Sequence, residues 1–131
     1  TKKATHAEKT LFDQLILADV TKPAAIPELS GGMFDVVQLI NAASSVGALD
    51  GWLKQVAPLL APQGILAVTI EPHTAGGPLG VSSATARFTH RPDSIKHAAT
   101  AAGLVLVKEA SVALYPETLS HLLVFSKQEI V

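Results

Sequence analysis

The feature that most constrains this chain is the alternation of short aliphatic runs with helix-period patterns. Stacked β–α–β units bury both kinds of surface together, so the alternation predicts an α/β domain around a mostly parallel sheet. Leu15-Ile16-Leu17-Ala18 is a compact apolar run that stops at Asp19, the pattern of a strand buried on both faces. Phe34-Asp35-Val36-Val37-Gln38-Leu39-Ile40 is the second such strand and Ile65 to Ile70 the third. Leu49, Trp52, Leu53, Val56, Leu59 and Leu60 recur at i, i+3, i+4 and i+7 between them, forming one helix face. Ser44, Ser45 and Asp50 are its candidate caps, and Pro58 predicts a kink or a tightened last turn. Pro62-Gln63-Gly64 is expected to end the helix, with Gly64 in the left-handed conformation.

The flanking regions are less regular. Ala4 to Phe12 reads as a short helix, and Thr21 to Gly32, with Pro23 and Pro27, as a connection with at most one helical turn. Glu71 to Ala86 is a Gly/Ser/Pro-rich loop of about sixteen residues, longer than compact domains usually keep without a reason. Pro92 to Ala102 is a second helix, with proline at its first position, Gly103 after its end, and Ile95, Ala98, Ala99 and Ala102 facing the core. His97 falls on its solvent side. Leu104 to Leu114 and His121 to Ser126 are two strands with a short link, which predicts an antiparallel pair.

Composition bounds the function. The 131 residues suit a single domain that buries a sizeable core; 48% are hydrophobic and 16% charged, which excludes a disordered chain. A net charge of −1 without a Lys/Arg cluster gives no basis for binding nucleic acid or an anionic membrane. No apolar run approaches the roughly 20 residues that cross a bilayer, and no signal-peptide pattern follows the N-terminus, so the expected location is cytoplasmic. Without cysteine there are no disulfides, thiolate metal sites or cysteine nucleophiles. His73, His90, His97 and His121 lack HExxH or a short paired spacing, so no metal site is expected. No nucleophile elbow is present, and Trp52, on the apolar helix face, is expected to fill the core.

The ordered set of segments resembles the second half of class I S-adenosylmethionine (SAM)-dependent methyltransferases. Asp13 to Val20 looks like that family's third strand ending in an acidic residue, and Phe34-Asp35-Val36-Val37 like its fourth. Val56 to Gly64 followed by Ile65-Leu66-Ala67-Val68 looks like the helix, Pro-Gly-Gly turn and fifth strand, with Gln63-Gly64 in place of the two glycines. Arg87-Phe88-Thr89-His90, the following helix and Ala102-Gly103-Leu104 look like the end of many small-molecule members. The resemblance implies a Rossmann-like, methyltransferase-type fold, with the C-terminal hairpin antiparallel and the first strands missing, over residues 1–131 as one truncated domain. Of the family's cofactor contacts it leaves counterparts only at Asp19 and Val20 on the adenine side and at Asn41 and Ala42 after the fourth strand. Arg87 and His90, with His73, are the candidates for contact with a substrate or partner. The family holds SAM with a glycine-rich turn after its first strand, because only glycine lets the backbone approach that closely. Neither Gly31-Gly32 nor Gly76-Gly77 stands in that place.

A cofactor-incompetent version of the fold resembles the N-terminal domain of the anamorsin family, which serves cytosolic iron–sulfur cluster assembly. Gly103-Leu104-Val105-Leu106-Val107-Lys108-Glu109 and Leu122-Leu123-Val124-Phe125 look like strands of that domain. The resemblances imply a non-catalytic, methyltransferase-like module that binds a protein partner and carries no cofactor. The alternative is the C-terminal part of an active SAM-dependent small-molecule methyltransferase. A sheet without its first strands leaves the Val36–Ile40 edge open to self-association or to another chain. Pairing of Leu15–Ala18 directly with that edge is the expected remedy.

Overall fold

A computed structural model describes the chain apart from residues 1–4, 7–8, 11–13, 15, 41, 44–45, 73–78, 82–87, 116–117 and 128–131. Thr5–His6 (β1) and Lys9–Thr10 (β2) form a small antiparallel pair where a helix was expected. The central sheet holds β3 (Phe34–Leu39), β4 (Leu60–Ile70), β7 (Leu104–Tyr115) and β8 (Thr118–Lys127) in the order β3-β4-β8-β7. β3 and β4 run parallel with Val36 opposite Ile65 and Leu39 opposite Val68, while β8 is antiparallel to both β4 and β7. The Rossmann-like α/β class and the terminal antiparallel hairpin are therefore as the sequence predicts.

The crossover from β3 to β4 carries α1 (Asp50–Val56), and α2 (Pro92–Ala101) leads into β7. Strand alternation sends Leu39, Leu66, Val68, Leu123 and Phe125 to one sheet face. There they join Trp52, Leu53 and Val56 of α1 and Ile95 and Ala99 of α2 in one buried cluster, with Ala98 and Ala102 packed against it. Small alanines let α2 approach the sheet closely, as the spacing predicts. His97 points outward. The opposite face stays open along one cross-strand row, where Val36, Ile65 and Val105 are 55%, 40% and 44% exposed.

The α1 boundary follows the sequence with two corrections. Pro58 sits in a tight 3-10 turn, Ala57–Leu59, that closes the helix. The cap residue is Leu49, whose carbonyl accepts the Leu53 amide at 2.8 Å, and no side chain caps the end; Asp50 lies in the first turn, where its charge favours the helix dipole. The left-handed residue is Gln63 (φ 64°) rather than Gly64, and Pro62-Gln63-Gly64 lies inside β4, which begins at Leu60, instead of ending the helix. Gly64 is required for a different reason. A β-carbon there would lie 2.8 Å from the Ala61 carbonyl oxygen and 2.9 Å from the Phe34 carbonyl oxygen. Backbone crowding between the start of β3 and the start of β4 leaves room only for hydrogen.

Leu15–Ala18 does not form the expected strand. Leu15 lies outside the described residues, Ile16 to Asp19 take part in no ladder, and Leu17 is fully exposed. A short apolar run reads identically as buried strand or buried helix, and a strand exists only where a neighbour supplies its ladder. Here the chain turns at Asp19 and is drawn towards α1: the Trp52 indole N–H donates to the Val20 carbonyl at 3.0 Å. The connection then makes two 3-10 turns, Pro23–Ala25 and Pro27–Leu29, each opened by its proline, where one was expected. Among the described residues β3 pairs only with β4 and is the sheet's edge. The long segment after β4 is also not all loop, since β5 (Leu79–Val81) pairs antiparallel with β6 (Phe88–His90).

Candidate functional site

In open α/β sheets, ligands sit beyond the carboxyl ends of the parallel strands, where backbone groups are left without ladder partners. Here that place lies past Leu39 of β3 and Ile70 of β4. The described residues between β3 and α1 form one wall. Ile40 is 42% exposed, Ala42 is half-buried against the core, and Ala43 is fully buried. The Val46 amide donates to the Ala43 carbonyl at 3.1 Å, making a tight turn, and Gly47 follows at φ 88°. Asn41 lies outside the described residues, as do His73 and Arg87.

His90 stands at the opposite wall, 1% exposed. Its amide donates to the Glu71 carbonyl at 2.9 Å, just beyond β4. Its ring meets the Gly47 carbonyl at 2.6 Å through Nε2. A carbonyl only accepts, so Nε2 carries the proton and donates it. His90 therefore joins the loop after β3, the end of β4 and the start of α2.

Asp19 heads an Asx turn. Its Oδ1 accepts the Thr21 amide at 3.0 Å and the Thr21 hydroxyl at 2.6 Å, and these bonds hold its exposed carboxyl below the usual carboxylate range. Val20, next in sequence, is 57% exposed. It lines an apolar cavity of about 280 Å³ with Pro23, Val37, Leu39, Trp52 and Val56, whose polar lining residue is Gln38. Asp19 lines a different, smaller cleft with Leu17 and Lys22. Val20 and β3 are thus brought together, whereas Asp19 faces away from the cavity they share.

One polar cluster has no forerunner in the sequence reading. Glu109 of β7 accepts from the Lys96 ammonium at 3.0 Å through both oxygens, and its Oε1 lies 2.6 Å from Nε2 of His121 on β8. The His121 bond first, and Lys96 second, lower the Glu109 carboxyl below its ordinary range. Lys96 is raised in turn, chiefly by its bond to Glu109. The antiparallel register that sets Ser111 against His121 places the histidine beside Glu109, a juxtaposition that linear spacing does not encode. Among the described residues no three metal-ligating side chains converge, and no helix is long and apolar enough to cross a membrane.

No protein-family model matches the sequence, and no curated protein matches it either. Solved structures do. The 1,6-didemethyltoxoflavin-N1-methyltransferase of Burkholderia thailandensis, solved with its substrate and S-adenosylhomocysteine, superposes with a TM-score of 0.61 at 17% identity, over 87% of this chain and 50% of that one. The N-methyltransferase NodS of Bradyrhizobium japonicum, with S-adenosylhomocysteine, gives 0.59 at 14% identity, over 86% and 53%. A SAM-dependent methyltransferase of Methanosarcina mazei gives 0.58 at 12% identity, over 76% and 61%. The chain thus spans less than two-thirds of the length of each. With its sheet order, its one parallel crossover and these superpositions, the chain has the fold of the class I SAM-dependent methyltransferases.

Proposed function

We propose that this chain is the C-terminal part of a SAM-dependent small-molecule methyltransferase. The observation that carries the proposal is the β3-β4-β8-β7 sheet, parallel at β3–β4 and inverted at β8, which superposes on enzymes solved with S-adenosylhomocysteine in place. In this reading Asp19, Val20, Asn41 and Ala42 are the candidates for the adenosine side of SAM. His73 and Arg87 belong to the side that meets the methyl acceptor. SAM supplies the methyl group, and the chain's share of the work is to orient cofactor and acceptor and to exclude water.

A second reading is a non-catalytic module that docks a protein partner or a second copy of itself. It is favoured by the open β3 edge, where Met33, Phe34, Val36 and Ile40 are exposed apolar residues. A role in iron–sulfur assembly rests on the sequence resemblance alone.

The two separate in a calorimetric titration of S-adenosylhomocysteine against the protein encoded by the complete reading frame that contains these residues. Micromolar binding that weakens when Val20 is replaced by Glu supports the first reading. Absence of binding in a folded protein sinks it and leaves the docking module.

A further inference from the structure

We infer that His90 is a positioning residue that latches the loop between β3 and α1, and so sets the rim of the crevice at the strand ends. That this rim borders a ligand rests on the reading proposed above; the latch itself does not. Ala43 and Leu49 anchor the loop in the core on either side of Gly47. Gly47 adopts φ 88°, a conformation open to many alternatives in a glycine, and its carbonyl points inward, where an unmet acceptor is costly. His90 meets that need with an Nε2–H bond of 2.6 Å from a ring that is 1% exposed. Phe88 lies two residues earlier on β6, so its side chain falls on the same strand face. Its ring is 3.7 Å from where a Gly47 β-carbon would stand. One short strand therefore holds Gly47 by a hydrogen bond and sets an aromatic ring beside it. The same strand is tied to β4 by the His90 amide and the Glu71 carbonyl. The loop after β3 and the end of β4 are thus held at a set separation by one residue.

Because the ring is buried and its Nε2–H is committed to Gly47, His90 acts on the rim through the loop. The chemistry needs a neutral donor at the Nε2 position. Glutamine can carry an amide N–H to about that place; leucine fills the volume without one.

The test is amide hydrogen exchange on His90→Leu and His90→Gln in the protein from the complete reading frame. His90→Leu is expected to speed exchange at residues 46–49 about tenfold, the effect of losing one buried hydrogen bond, while β4 and α1 keep their protection. His90→Gln should restore most of it. S-adenosylhomocysteine affinity should fall in the leucine variant and recover in the glutamine variant. Unchanged exchange at residues 46–49 in His90→Leu overturns the latch, and so does protection lost equally across α1 and β4. Should His90→Leu fail to fold, Gly47→Ala probes the grip from the other side: a β-carbon at positive φ strains the loop and must loosen the same residues. Local loosening without any ligand affinity would refute the proposed function and leave the latch standing.

Discussion

Replacing Gly64 with alanine tests the closest backbone approach in the sheet. The added β-carbon would sit 2.8 Å from the Ala61 oxygen, 2.9 Å from the Phe34 oxygen and 3.1 Å from the Ala61 nitrogen. All three are main-chain atoms, so no side chain can swing aside; the start of β3 must part from the start of β4. Overpacking of this kind costs about 1–3 kcal/mol. Alanine recovers about 0.4–1 kcal/mol by restricting the unfolded chain. Gly64 has no positive φ, so no further conformational penalty enters. The net expectation, taking the middle of each range, is a loss of about 1.3 kcal/mol. Urea unfolding followed through Trp52, the only tryptophan, should show a midpoint lower by about 0.5–1 M at a typical slope for a domain of this size. An unchanged or higher midpoint would refute the close approach and the register in which Phe34 lies opposite Leu60.

The remaining predictions use the same unfolding measurement unless stated. Gly51→Ala should act with the opposite sign and raise stability by about 0.5–1 kcal/mol, because no atom lies within 4 Å of the new carbon and α1 gains a helix former. Trp52→Phe should cost about 1–2 kcal/mol by circular dichroism, through the bond to the Val20 carbonyl and the volume lost beside it, and should speed amide exchange at residues 20–29. Glu109→Gln should cost less than about 1 kcal/mol near neutral pH, since the cluster is about one-third exposed. The folded carboxyl of Glu109 titrates below its ordinary value of 4.5. Its contribution is therefore present above that value and is lost as the pH falls through the lowered one, so variant and wild type should converge in acid.

How far the sequence reaches follows from the range of the interactions involved. Helix periodicity is local, and Leu49, Trp52, Leu53 and Val56 are buried along α1 as their spacing predicts, whereas Leu59 falls in the closing 3-10 turn and Leu60 is buried as the first residue of β4. The α2 face is buried too, and the two long final strands pair across a minimal link because little else is possible for adjacent strands so closely joined. The tightened turn at Pro58 was equally legible, since a fixed φ and a missing N–H act at the residue itself, whereas Pro23 and Pro27 open two turns where one was expected.

The tertiary structure decided the rest. Whether Leu15–Ala18 becomes a strand depends on a neighbouring ladder, and the described residues offer none. Gln63 rather than Gly64 takes the left-handed conformation, and Gly64 is required by backbone crowding that no local pattern reveals. In the candidate site, the resemblance offered Val20 as a cofactor contact at a strand end, but the strand does not form and the cavity Val20 lines with Trp52 and β3 had no signal in the sequence. The sequence also offered His90 as a candidate substrate or partner contact and His121 as a histidine without a role. Only folding could bring one against Gly47 and the other against Glu109, because those partners lie 43 and 12 residues away along the chain. The sequence by itself determined the alternation of elements and the faces they bury, through interactions that span a turn or a strand. The strand order, the close approaches and the polar contacts were settled by packing, which acts between residues that no local pattern connects.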